Sequence, residues 1–136
     1  MATLSKWIVF VGGTFSGHHH DYTMLKTEFP PEYPWFEAIH VLLDLGYQGL
    51  KSDYAGESIE IPHKRPRKSK NNPSPELSAE QKANNRAVSC IRIFVENAIA
   101  GLKRFNILVQ AFRNRKPNIE DDAIALCAGL WNFLLA

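Results

Sequence analysis

The sequence predicts an α/β domain, a few-stranded sheet with packed helices, and three observations carry that prediction. The continuous apolar run Trp7–Val11 and the largely apolar segment Ala38–Leu43 read as strands buried on both faces. Val88, Ile91, Val95, Ile99 and Leu102 follow one another at steps of three and four, which places them on one stripe of a long helix. Residues 124–135 are almost wholly apolar and read as a buried last helix.

Each element has local reasons. Trp7–Val11 stops at Gly12-Gly13. Asp21 stands ahead of Tyr22, Met24, Leu25 and Phe29, where a carboxylate can accept from the free N–H groups of a first turn, so it is expected as an N-cap. That helix ends before Pro30-Pro31. Ala38–Leu43 is closed by Asp44, and Gly46 and Gly49 predict a tight turn after it. Ser58–Ile61 alternates polar and apolar like a short edge strand, and Pro62 stops it. From His63 to about residue 76 the chain is basic, Pro-containing and poor in large apolar residues, which predicts a mobile loop. Ser78 and Gln81 form the capping box S-x-x-Q that opens the long helix. Ser89, Arg92, Glu96 and Lys103 fall on a more polar face beside its apolar stripe. Asn118 is expected to cap the last helix, with Glu120, Asp121 and Asp122 in its positive first turn.

The 136 residues fit one domain, and 45% hydrophobic residues suffice for a core. No apolar run reaches the roughly 18–20 residues that span a bilayer, and Met1–Lys6 lacks a signal-peptide pattern. The expectation is a soluble intracellular protein, cytoplasmic in a bacterium or nuclear in a eukaryote, with no membrane partner. Cys90 and Cys127 sit in apolar helical patterns outside any CxxC pair and read as buried free thiols. The net charge of +2 conceals an asymmetry: residues 1–61 carry −5 and residues 62–136 carry +7. A basic half suits a polyanionic partner.

Two acidic residues stand out by position. Asp44 closes a strand, where α/β proteins place functional groups. Glu96 lies inside an otherwise apolar and basic helix, where an ionised carboxylate is costly unless paired or metal-bound. The simpler alternative is that Asp44 caps the following turn and Glu96 pairs with Arg92, four residues back.

The motifs around these residues resemble those of DDE-type transposases, closest to the Harbinger-like and related bacterial insertion-sequence endonucleases. L-L-D-L-G-Y-Q-G-L at 42–50 resembles the family's second-carboxylate motif, D-x-G-Y-x-G. Residues 85–108, from Asn85-Arg86 through Arg92 and Val95-Glu96 to Lys103-Arg104-Phe105, resemble the helix that carries the third carboxylate. S-G-H-H-H-D at 16–21, I-P-H-K at 61–64 and A-G-L-W-N-F at 128–133 also match, in the family's order.

The resemblance implies a ribonuclease H-like fold, here truncated, so that residues 1–136 form the C-terminal part of a DDE catalytic domain. It implies Asp44 and Glu96 as catalytic metal ligands for Mg²⁺ or Mn²⁺, which take carboxylate oxygens. It implies two-metal phosphodiester cleavage and strand transfer at transposon ends, with transposon ends and target DNA as partners. The family's first catalytic Asp, borne by an Asp-Gly strand, has no match here. Asp21 matches the family's His-Asp element instead, and remains a substitute to be weighed. The expectation is therefore a chain inactive on its own, whose sheet lacks its central strands: a fragment, a decayed gene product or one piece of a split protein. The rival is a non-catalytic DNA- or protein-binding module derived from a transposase. Oligomeric state is not readable.

The remaining candidates are charged or metal-binding types. His18-His19-His20 matches no zinc spacing, and reads as a loop with a structural contact in which His20 orients Asp21. Lys64, Arg65, Arg67 and Lys68, with Lys103 and Arg104, are the candidate DNA-phosphate contacts. Arg113, Arg115 and Lys116 add further positive charge, and a solvated loop is the plain alternative for 63–70.

Overall fold

The computed structural model describes every residue except 57, 71, 72, 112, 114 and 115. It contains two compact units, Gly17–Cys90 and a second made of Met1–Ser16 with Ile91–Ala136. The class is α/β, with four helices and a two-stranded parallel sheet among the described residues.

Unit 17–90 begins with α1, Asp21–Glu28. Its N-cap is His20, whose side chain accepts from the Tyr22 N–H, so Asp21 is the first helical residue and not the cap expected of it. β1, His40–Leu42, and β2, Ser58–Glu60, pair in parallel with Val41 opposite Ile59. The Ser58 hydroxyl lies 2.6 Å from His40 Nδ1 across the pair. The apolar run thus forms a strand, but a half-buried one, because a two-stranded sheet covers little of it. Between the strands run a 3-10 turn, Leu45–Tyr47, and the short helix α2, Leu50–Asp53. The core of the unit is Phe36, Leu50, Tyr54 and Ile59, with Tyr22, Leu25 and Phe29 packed against it. Leu50 is fully enclosed, a burial that contributes about 1.5–3 kcal/mol for a side chain of its size. The Tyr54 hydroxyl donates to the Phe29 carbonyl at 2.5 Å and ties the core to the end of α1.

α3, Ala79–Leu102, contributes residues 79–90 to this unit and 91–102 to the other. Its start is the predicted capping box. The Gln81 N–H donates to Ser78 Oγ at 3.1 Å, and the Ser78 N–H donates to Gln81 Oε1 at 3.0 Å. Ahead of it, the described residues of 63–76 form no helix or paired run of strand; Asn71 and Asn72 lie outside the described residues. Both ends of this segment are tethered. Asn85 accepts from the His63 N–H at 2.7 Å and donates back to the His63 carbonyl at 3.0 Å, and Arg65 Nε donates to the carbonyl of buried Pro75 at 2.7 Å.

The other unit holds the end of α3, a 3-10 turn at Asn106–Leu108, and α4, Ile119–Leu135. Its core is small: Ala98 and Gly101 of α3, and Ala123, Cys127, Ala128 and Trp131 of α4. Gly101 admits the bulk of Trp131; of the expected stripe, Val88 is buried, Ile91, Val95 and Leu102 are half-buried, and Ile99 is exposed. α4 is buried on one face only. Leu126, Leu130, Phe133 and Leu134 face solvent, with Phe133 78% exposed, so the almost wholly apolar run 124–135 has not made a buried helix. Asn118 holds the N-cap position in a left-handed conformation with no side-chain cap bond, contrary to its expected role. Cys90 is exposed, correcting its reading as a buried thiol, whereas Cys127 is buried as expected.

Trp7–Val11 does not form the predicted buried strand. It takes part only in an isolated antiparallel bridge of Ala2 with Ile8, and Trp7 and Val9 are exposed. The physical reason is that its backbone groups are bonded elsewhere. The first ten residues curl on themselves, with the Val9 N–H donating to the Met1 carbonyl at 3.0 Å, and the backbone of Ile8 is taken by a side chain. Asn132 Oδ1 accepts from the Ile8 N–H at 2.8 Å, and its Nδ2 donates to the Ile8 carbonyl at 2.8 Å.

Candidate functional site

Asp44 stands two residues after the end of β1 and caps the 3-10 turn, with Oδ1 accepting from the Leu45 N–H at 2.7 Å. It is exposed and belongs to unit 17–90. Glu96 lies on α3 in the other unit, and its side chain is 63% exposed. The desolvation cost that singled it out in the sequence is therefore absent. Arg92 Nη2 stands 3.6 Å from Glu96 Oε1, the i,i+4 pair that was the plain alternative.

Elements around Asp44 bring in residues that the motif reading left aside. α1 carries Asp21 to the turn, where its Oδ2 lies 3.8 Å from the position a Cβ on Gly46 would occupy. Desolvation, with the carboxylates of Asp21 and Asp44, pushes the Tyr47 phenol above its ordinary pKa. Tyr22 packs edge-on to Tyr47 at 6.5 Å between ring centroids. It also donates from its hydroxyl to Asp53 Oδ2 at 2.6 Å. Lys26, one turn along α1, pairs with the same Asp53 oxygen and lies 4.7 Å from the Tyr22 ring centroid. These contacts hold the Asp53 carboxyl below its usual value, Lys26 first and Tyr22 second. The only sequence signal for them was the four-residue spacing of Tyr22 and Lys26, which shares a helix face.

Among the described residues no three His, Cys, Asp or Glu side chains gather as a ready ligand set. Asp44 and Glu96 nevertheless fit a divalent cation in donor chemistry. Both are exposed hard-oxygen carboxylates of the kind Mg²⁺ accepts while keeping waters. His20 is a helix cap, in keeping with a structural reading of the histidine run.

The basic candidates divide by what they touch. Lys64, Arg65, Arg67 and Lys68 are exposed, but Arg65 also closes its loop through Pro75. Lys103 and Arg104 follow the last turn of α3 and are exposed, as are Arg113 and Lys116; Arg115 lies outside the described residues. No helix among the described residues is long and apolar enough to cross a membrane.

The profile of the DDE superfamily endonucleases matches residues 1–132. Over 124 residues the chain is 35% identical to a probable transposase for insertion sequence element IS702 from Microchaete diplosiphon. That alignment covers 91% of this chain and 41% of the relative, so the chain spans about two fifths of the curated relative's length. No solved structure matches it significantly. The family profile, running across nearly all of these residues, establishes that the chain belongs to the DDE superfamily endonucleases.

Proposed function

We propose that residues 1–136 are the C-terminal part of a transposase catalytic domain of ribonuclease H-like architecture. Asp44 and Glu96 are its divalent-cation ligands, and DNA is its substrate. The observation that supports this best is the ordered set of motifs, with one carboxylate at a strand end and the other on an exposed helix face. When bound, Mg²⁺ or Mn²⁺ supplies an activated oxygen nucleophile and charge stabilisation at the leaving oxygen. The chain's own part is to hold and to orient. Asp44 is fixed by its cap to Leu45, and the Arg92 guanidinium lies 3.6 Å from the Glu96 carboxylate. Lys64, Arg67, Lys68, Lys103 and Arg104 provide positive charge for phosphates, without base readout.

No residue of 1–136 matches the family's first catalytic Asp, and two carboxylates are a poor frame for two ions. Residues 1–136 alone therefore do not cut DNA. A displacement of about 1 Å in the reacting groups already costs on the order of 10²-fold in rate. The test is plasmid nicking by residues 1–136 in Mg²⁺ and in Mn²⁺. A version extended upstream by an Asp-bearing two-stranded segment of a related transposase is assayed in parallel. Nicking by the extended version alone supports the reading. Nicking by residues 1–136 that disappears in Asp44→Asn refutes the inactivity and makes Asp21 the first candidate for a third ligand. If neither version cuts and neither binds metal, a non-catalytic binding module is favoured.

A further inference from the structure

The turn that follows Asp44 has no large core of its own, and something must fix its direction. Gly49 reveals what does. A Cβ at this position would stand 2.7 Å from Tyr22 Cε1 and 3.2 Å from the phenol oxygen, so the glycine leaves room for the Tyr22 ring. The ring crosses that gap and delivers its hydroxyl to Asp53 at 2.6 Å, at the far end of α2. Lys26 reaches the same carboxylate from one turn further along α1. The segment 45–53 is thus held at both ends. At its start, Asp44 caps the Leu45 N–H and the Tyr47 N–H donates to the Asp44 carbonyl at 3.1 Å. At its finish, α1 grips Asp53 through a phenol and an ammonium group. A charge-assisted pair of this kind is directional and stronger than a neutral hydrogen bond. The Tyr22–Asp53 contact also spans 31 residues of sequence, so it fixes the two segments to each other and not merely α1 within itself.

We infer that Tyr22, Lys26 and Asp53 are positioning residues that set the direction of the Asp44 carboxylate for divalent-cation binding. The inference rests on the reading of Asp44 as a metal ligand. Its physical logic is that a ligand carboxylate works only when the elements beneath it are themselves held in place. Tyr22 and Lys26 do not touch Asp44. They act through the turn 45–47, whose tilt decides where the two carboxylate oxygens point.

The experiment uses isotopically labelled residues 1–136, with Mn²⁺ as the probe. Two quantities are read by NMR: amide exchange at Leu45 and Tyr47, and paramagnetic broadening of Leu45 by Mn²⁺. The Leu43 amide, which donates to the Glu60 carbonyl, serves as the internal control. In Tyr22→Phe and Asp53→Asn, exchange at Leu45 and Tyr47 rises about tenfold while Leu43 changes by less than about twofold, the signature of local and not global loosening. Both variants weaken Mn²⁺ broadening at Leu45. Lys26→Met weakens it too, and Lys26→Arg restores it. Unchanged exchange at Leu45 and Tyr47 in the two variants overturns the inference. So does equal acceleration at Leu43, which marks a merely structural role. If the unsubstituted chain shows no Mn²⁺ broadening at Leu45, the metal assignment falls, and the exchange comparison still decides whether the clamp directs the turn.

Discussion

The ring of Trp131 occupies the space that a side chain on Gly101 would need, with three of its carbons overlapping the place a Cβ would take. The contact seats α4 on the end of α3. The indole cannot withdraw freely, because its Nε1 donates to the Lys6 carbonyl at 2.9 Å. Gly101→Ala is expected to destabilise this unit, since overpacking costs about 1–3 kcal/mol and helix propensity returns about 1 kcal/mol at most. Gly129, in the middle of α4, has nothing near its missing Cβ. Gly129→Ala is expected to stabilise by about 0.5–1 kcal/mol. Urea melts of both variants check the opposite signs; equal shifts would mean that Trp131 does not rest on α3.

Leu50 is enclosed by Phe36, Tyr54 and Ile59, and it stands in the short helix between Asp44 and Asp53. Leu50→Ala is expected to cost about 2–5 kcal/mol, through lost burial and the cavity left behind. Denaturant unfolding followed by tyrosine fluorescence measures it. A cost below about 1 kcal/mol would show that the core of this unit is not the one described.

The α1–α2 clamp carries its own pH dependence. Asp53 titrates below its ordinary value, chiefly because of Lys26. Its stabilisation is complete above the unfolded value, about pH 4, and is lost as the pH falls through the lower folded value. Tyr22 behaves oppositely: desolvation first, then the Asp53 carboxylate, raises its phenol. Its contribution is complete below the unfolded value of about pH 10 and is lost as the pH rises through the higher folded one. The protection of α1 amides, taken relative to their intrinsic exchange rate at each pH, is expected to fall in acid below about pH 4. Asp53→Asn should flatten that acid limb, and an unaltered limb in the variant would assign it to another carboxylate.

The basic segment is expected to bind duplex DNA electrostatically. Changing Lys64, Arg67 and Lys68 to Gln should weaken binding and flatten its salt dependence, because fewer counterions are released. Arg65→Gln should behave differently. Its guanidinium also closes the loop on Pro75, so the variant is expected to raise backbone exchange across 63–70 as well. Fluorescence anisotropy across a salt series reads the first effect. A slope equal to that of the unsubstituted chain would exclude this segment from the interface.

What the sequence made legible was local. The capping box at Ser78 and Gln81 needs only four consecutive residues, and it formed as read. β1 and β2 announced themselves by an apolar run and by alternation. Trp7–Val11 carried an equally strong strand signal, but a pattern records what a segment favours and not whether partners are at hand. A stripe of large apolar residues takes in exposed Ile99 and omits Gly101, because a small residue adds nothing to such a stripe even where its smallness makes the contact. The same holds at the site. Asp44 and Glu96 lie inside recognisable motifs, whereas the Tyr22–Asp53 bond joins segments 31 residues apart and leaves no periodic trace.

The carboxamide of Asn132 presents a donor and an acceptor at the spacing of a peptide group, and Ile8 uses both. Asn85 does the same for His63. Each asparagine thus serves as one borrowed residue of extended backbone, offered sideways from a helix. The pairing fixes the amide's orientation, since only one assignment of oxygen and nitrogen satisfies both partners. It also makes these two points vulnerable to chemical ageing. Spontaneous hydrolysis of the Asn132 amide to a carboxylate replaces its donor with a second acceptor, set against the Ile8 carbonyl. The N-terminal segment would then be left to the Trp131–Lys6 and Thr14–Asp121 bonds for its hold on α4, with no change in the gene.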